Sequence, residues 1–395
     1  MDFALPEDLV LVRDTVARFV REELLPLEPL VIRREAERGF TDTPLLPPDV
    51  SARLLEKARD VGLWGIDVPR DLGGQEFGAL AKAVVIEQLK HSIVPFVAPP
   101  DSPNLYLLRR LCRGDQVERY LLPYASGEKT SCLALTEPDA GSDMAAIRTR
   151  AERRGGKWVL NGTKTFISHA RHADFIIIIA VTDPAAERHR RFSAFLVDRG
   201  TPGLSVPACY PMIGEYCPYE VVLEDVTLDD GQLLGEAGAV YEPLQARLSV
   251  RRMEVGARCI GLAERCLSMM VEQANGRSTF GRPLADRQAV QWWIADSFQE
   301  LEMVRLLTRR LAWRIDSGEG DFRTDAAMVK VQATEMIQRV ADRAIQLFGA
   351  MGVSKALPLE YISRVTRVYR IVEGPSEVHR WTLARTLLKN GLPVG

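Results

Sequence analysis

"TSCLALTEPDAGSD", residues 130–143, is where the period of this chain changes. It opens as a short apolar run of strand length and closes in a Pro/Gly/Ser turn rich in backbone donors and hydroxyls. "KWVLNGTKTFIS" (157–168), "ADFIIIIAVTD" (173–183), "RRFSAFLVD" (190–198) and "YEVVLEDVTL" (219–228) continue the pattern, punctuated by Gly, Asp and Pro. Asn161-Gly162 reads as a hairpin turn, followed by a strand that carries Phe166 and Ser168 on one face. Upstream the pattern is helical: Leu9, Val12, Val16, Phe19 and Val20 recur at helical spacing. Leu54, Leu55, Ala58 and Val61 do the same, and so does "GALAKAVVIEQLKH". Downstream, from about Gly238, the helical period returns and persists. Cys259, Ala263, Leu267 and Met270 form one stripe and Val290, Ile294, Phe298 and Leu301 a second. Val329, Ala333, Ile337, Val340, Ala344 and Leu347 form a third. The pattern predicts a mainly α protein with a central β domain: an N-terminal helical domain (1–128), a middle β-barrel-like domain (129–236) and a C-terminal helical bundle (237–395).

Composition bounds the function. The chain has 395 residues, 46% of them hydrophobic and 26% charged, with a net charge of −2. That is ordinary for a globular protein, and no basic field points to nucleic acid or an anionic membrane. The six cysteines show no CxxC pair and no histidines at zinc spacing, so no metal site is expected and the thiols read as reduced core residues. "MDFALPEDLVLVRD" carries acids where a signal peptide carries positive charge, and "FIIIIAV" is too short to span a bilayer. A cytoplasmic protein is expected.

Three further stretches carry polar residues at breaks between apolar runs. "NGRSTFGRPLADRQ" (275–288) interrupts two helices. Arg277 there suits either a helix C-terminus or a pyrophosphate. "IQLFGAMG" (345–352) ends a helix on Gly349, as a cap or as backbone left open to a ligand. "RIVEGPSEVHR" (370–380) sets Glu373 between apolar residues and a Gly-Pro break. An acid is favourable just before a helix start, which is one explanation of Glu373.

Together, "LTEPDAGSD", "FIS" after "NGTK", "GRSTFGRPL" with Gln288, "QLFGAMG" and "VEGPSEV" resemble the acyl-CoA dehydrogenase family over nearly the whole chain. The resemblance implies FAD between the β domain and the late helices. Leu135 and Thr136 match the strand end facing the flavin. Phe166 and Ser168 match the pair that stacks on the ring and hydrogen-bonds near N5, where many members have Trp and Thr. Arg277, Thr279 and Phe280 match the segment on the pyrophosphate and ring, and Gln288 a further contact. Gln346, Gly349 and Ala350 match the loop reaching the flavin of a neighbouring subunit, which implies a homo-oligomer, a dimer or tetramer. Pro375 and Glu377 fall in the same cofactor set. Ser142, also in that set, matches a residue by the CoA arm. Arg252 falls at another CoA-contacting position, with a bundle-surface arginine as the alternative, and Gly374 at a substrate position.

Glu373 matches the catalytic base. An apolar pocket would lift its pKa above the usual value of about 4.3, toward that of a base for the α-proton of a thioester. Some branches of the family place the base earlier, where this chain has Arg251. The implied activity is α,β-dehydrogenation of acyl-CoA, within fatty-acid β-oxidation, with an electron-transfer flavoprotein as acceptor. The alternatives are an acyl-CoA oxidase using O2 and a DNA-associated flavin-containing relative. Val365, Val372, Pro375 and the Pro-rich "APPDSPN" (98–104) depart from the commonest pattern, so a branched, hydroxylated or cyclic acyl group is expected.

Overall fold

The computed structural model describes residues 4–318 and 321–392. Met1–Phe3 and Pro393–Gly395, the extreme ends of the stretches read above, lie outside the described residues. The N-terminal part is α1 (Glu7–Phe19), α2 (Glu28–Arg38), α3 (Pro48–Asp60), α4 (Gly78–Leu89), α5 (Ser102–Leu111) and α6 (Leu122–Ser126). The middle part contains β1 (Ser131–Ala134), β2 (Arg150–Arg154), β3 (Lys157–Ile167), β4 (Phe175–Val181), β5 (Phe192–Asp198), β6 (Leu204–Ser205), β7 (Tyr219–Leu228) and β8 (Leu233–Leu234). The last part opens with α7 (Tyr241–Gly276). A small hairpin, β9 (Ser278–Thr279) and β10 (Arg282–Pro283), leads to α8 (Gln288–Ser317), α9 (Arg323–Phe348), α10 (Leu359–Tyr369) and α11 (Ser376–Asn390). The helix–sheet–helix plan predicted from the period is the plan observed.

The sheet runs β6-β7-β3-β2-β4-β5-β8, with β1 pairing parallel to β4. β4 is buried along its whole length, which explains a run of apolar residues with no alternation. The Asn161-Gly162 hairpin does not form. β3 passes straight through that pair, and the turn between β2 and β3 falls at Gly155-Gly156, both with positive φ. Asn161 instead pairs side chain and backbone with Asp225 of β7, at a register shift in that ladder. A second shift, between Lys164 and Ile167, turns the end of β3 so that Phe166 and Ser168 are exposed while Thr165 and Ile167 are buried.

α7, α8 and α9 pack along one another, and α4 lies against α7 and α8. The α9 stripe is buried throughout. On α8 the buried stripe runs through Val290, Ser297, Leu301 and Val304; Phe298 is exposed, a correction to the expected stripe. Val61, at the end of α3, is exposed as well. α4 has no single apolar face: Ala81 to Leu89 are all buried, with Lys82 held by the Ala98 and Pro100 carbonyls. α4 approaches α7 so closely that a Cβ on Gly261 would lie 2.0 Å from the Glu87 carbonyl oxygen. Gly261→Ala is therefore expected to destabilise the protein by at least about 1–3 kcal/mol, read by denaturant unfolding. All six cysteines are free; Cys209 and Cys217 are half-buried, not core.

Candidate active site

Two segments carry several of the residues expected at the site. The first is the end of β1. Lys164 of β3 is fully buried and donates to the Leu135 carbonyl at 3.1 Å and to Glu137 Oε1 at 2.8 Å. Glu137 also accepts the backbone N–H of Arg148 at 2.6 Å and of Thr149 at 2.9 Å. Burial pulls the Lys164 ammonium down to about 8, against the opposing pull of Glu137. The Thr165 N–H donates to the Thr136 carbonyl at 2.9 Å. Leu135, Thr136, Phe166 and Ser168 are thereby fixed at one sheet end, and Ser142 is exposed in the turn beyond. Phe166 is 50% exposed, with a φ of 57°. A bulky side chain is seldom held at positive φ, and this backbone presents its ring to the outside.

The second segment is the loop between α10 and α11. Glu373 has a φ of 57° and Gly374 a φ of 91°. The loop is clamped through its backbone. The Glu373 carbonyl accepts from Arg252 Nε and from His379 Nε2, each at 3.1 Å. The Gly374 carbonyl accepts from buried Lys330 at 3.2 Å, and Lys330 also donates to the Tyr369 carbonyl. A Cβ on Gly374 would meet His379 Nε2 at 3.0 Å, so the turn needs glycine for space as well as for φ. Arg252 is not a bundle-surface arginine; it is a strut under this loop. Pro375 precedes the first turn of α11, Ser376 is buried in it, and Glu377 points to solvent.

Burial, with the Arg252 and Lys330 cations nearby, pulls His379 down to about 3, so the ring is neutral and Nε2 carries the proton it donates. Between pH 6.5 and about 3 the unfolded chain binds a proton here that the folded chain does not. Stability from this site is thus lost as pH falls through that window, by up to about 1.4 kcal/mol per pH unit. His379→Gln, which keeps a donor, is expected to flatten the acid limb of stability by about one proton, measured by denaturant unfolding from pH 4.5 to pH 7.

The surroundings of the Glu373 carboxylate are ionic, a correction to the apolar pocket expected from sequence. Arg247 Nη1 stands 3.7 Å from Glu373 Oε2. One turn along α7, Arg251 pairs with Asp101 and, at 2.5 Å, with Glu254. Arg251 cannot serve as a base; it holds Asp101, which burial alone would raise, down at about 2. Sequence reading missed Asp101, Asn104, Arg247, Lys330 and His379. The available signals were the polar residues in "APPDSPN" and the charges in "ARLSVRRMEVG", too dense for an otherwise apolar helix.

Arg277 directly precedes the β9–β10 hairpin, Thr279 and Phe280 lie on it and Gln288 opens α8; Gln346 lies in the last turn of α9, with Gly349 and Ala350 just beyond its end. All are exposed or half-exposed, and among the described residues no hydrogen bond or ion pair joins them to the Glu373 cluster. Arg277 stands at the C-cap of α7. Phe280 is 99% exposed and, like Phe166, held at positive φ. Two rings displayed on strained backbone, with hydroxyls and an arginine near them in sequence, fit a large planar anionic cofactor such as FAD.

Comparison with known proteins shows the family. Family models match end to end: acyl-CoA dehydrogenase N-terminal domain over residues 6–128, middle domain over 132–226 and C-terminal domain over 242–388. The chain belongs to the acyl-CoA dehydrogenase family, whose members are FAD-dependent oxidoreductases. It is 46% identical to the (R)-benzylsuccinyl-CoA dehydrogenase of Thauera aromatica, over 99% of this chain and 98% of that one. The solved butyryl-CoA dehydrogenase of Megasphaera elsdenii superimposes with a TM-score of 0.87 at 26% identity, covering 98% of this chain and 100% of that one. A chain from structural work on the electron transferring flavoprotein of Acidaminococcus fermentans does so with a TM-score of 0.86 at 28% identity, covering 99% and 100%.

Proposed function

We propose that the protein converts an acyl-CoA thioester into its trans-2-enoyl-CoA, with Glu373 as the base. Its carboxylate takes the α-proton, and the β-hydrogen leaves with the electron pair of its C–H bond. Bound flavin supplies the acceptor for that hydride. The observation that carries the reading is the loop at Glu373: an acid at positive φ, its backbone fixed by Arg252, Lys330 and His379 while its carboxylate stays free of hydrogen bonds among the described residues. Fixing the backbone and not the carboxylate positions a base without neutralising it through a donor. No such arrangement is needed to start a helix.

Phe166, Ser168, Leu135 and Thr136 hold the flavin ring in this reading. Arg277, Thr279, Phe280 and Gln288 take its pyrophosphate side. Ser142, Arg252 and Gly374 line the thioester path, Arg252 through the loop it supports. Gln346, Gly349 and Ala350 serve the flavin of a second copy. The apolar side chains that α8 leaves exposed, Trp292, Met303, Leu306 and Trp313, are consistent with such an oligomer. Electrons pass on to an electron-transfer flavoprotein, and the enzyme works in the cytoplasm; no described helix is long and apolar enough to cross a membrane. The relative named for benzylsuccinyl-CoA supports a substrate other than a straight acyl chain.

The test is an anaerobic screen of acyl-CoA thioesters for flavin bleaching on the purified holoprotein. It is expected to be yellow and oligomeric. A colourless protein that takes up no FAD, or a holoprotein bleached by no thioester, would overturn the reading.

A further inference from the structure

The charge beside Glu373 is unevenly satisfied. Arg251 is engaged by the carboxylates of Asp101 and Glu254, and Arg252 by the Glu373 carbonyl. Arg247, 5% exposed, has no carboxylate within hydrogen-bond distance. Its Nε and Nη2 share one neutral acceptor, Asn104 Oδ1, at 3.2 and 3.0 Å. Asn104 is itself buried, and its amide nitrogen donates to Ser131 Oγ at 3.0 Å, which turns its oxygen toward the guanidinium. Arg247 Nη1 makes no hydrogen bond among the described residues and faces Glu373 Oε2 at 3.7 Å. A buried cation whose hydrogen bonds all go to one amide oxygen, with its nearest carboxylate held off at 3.7 Å, is poorly compensated, and an apolar acyl chain laid beside it would deepen that cost. A planar fork with one free arm is suited to a carboxylate.

We propose that Arg247 binds a free carboxylate carried by the acyl group, so that the substrate is the monothioester of a short dicarboxylic acid. This deepens the assignment of Glu373 as base and rests on it. The short separation of Arg247 from Glu373 sets the chain length. The base must reach the α-carbon, so the second carboxylate lies within a few bonds of that carbon, as in a 2-substituted succinyl unit, and not at the end of a long diacid. The anion also competes with Glu373 for the guanidinium, leaving the base free to accept its proton. Asp101 and Asn104, both from the Pro-rich stretch that departs from the family pattern, orient the two arginines.

The experiment compares benzylsuccinyl-CoA with its methyl ester, which keeps the skeleton and loses the charge. Affinities of the holoenzyme for the two enoyl products are read by calorimetry, and anaerobic flavin reduction by the two saturated thioesters is read separately. The free acid is expected to bind at least about 10-fold tighter than the ester. Arg247→Met is expected to cost the acid about 10²-fold and to leave the ester within about threefold, the range for losing one partner of a buried charge pair. Equal affinity for acid and ester in the parent enzyme overturns the proposal, and that comparison needs no variant. Bleaching by butyryl-CoA as fast as by the acid, unchanged in Arg247→Met, also overturns it while leaving the dehydrogenase intact. A preference for the acid in binding, with no thioester bleaching the flavin, supports Arg247 and overturns the dehydrogenase reading.

Discussion

Glu373→Gln is expected to slow flavin reduction by about 10²–10⁴-fold, the usual cost of removing a general base. Gln keeps the size of the side chain. The struts that fix the loop, Arg252, His379 and Lys330, bond to backbone carbonyls that the substitution leaves in place. The fold of the loop and the FAD content are therefore expected to stay close to those of the parent. Arg247 loses its carboxylate neighbour at 3.7 Å, so an anionic acyl group should bind no more weakly than before and could only gain. If Glu373 served only to start α11, losing its charge would cost about 0.3–1 kcal/mol of stability and leave turnover per flavin near normal. Structure disfavours that role: α11 begins three residues later, at Ser376, and no side chain caps it. The measurement is single-turnover reduction on a cognate thioester, normalised to bound flavin, beside a melting curve. Near-parent reduction would remove Glu373 from the mechanism.

The fold was legible because its signals are periodic. Helical stripes on α1, α7 and α9 and the unbroken apolar run of β4 each follow from one buried face, or two, and a period survives in sequence. Local turn chemistry was less dependable. Asn161-Gly162 has the composition of a tight turn, but two other glycines, Gly155 and Gly156, already make that turn, and Asn161 is needed against Asp225. Glu373, Phe166 and Arg277 stand out as candidates only through the resemblance; by residue type alone each has an ordinary structural use. The ionic pocket was the hardest part to see. Asp101, Asn104, Arg247 and Arg251 come from stretches more than 130 positions apart, and their meaning lies in which charge meets which. A charge on a helix reads as solvated face until tertiary packing buries it, so no pattern along the chain announces a buried guanidinium.

Lys164→Met is expected to be among the most damaging single changes away from the Glu373 loop. Lys164 is fully buried and Glu137 nearly so, and they meet at 2.8 Å. Removing the cation leaves a buried carboxylate with only the Arg148 and Thr149 N–H groups, and losing one partner of a buried pair costs about 3–5 kcal/mol. The two remaining donors place this case toward the lower end. The loss also has an address. Lys164 tethers the Leu135 carbonyl, so the end of β1 beside Thr136 loosens and FAD retention should fall along with stability. The double change Lys164→Met with Glu137→Gln removes both charges and keeps the acceptor for the backbone donors. It should recover much of the stability, because an ion pair replaced by neutral groups of similar size is often close to neutral, whereas a broken one is not. Unfolding free energies of the parent, both single variants and the double, at pH 7, close the cycle; additive losses would mean that the pair contributes no coupling at this site.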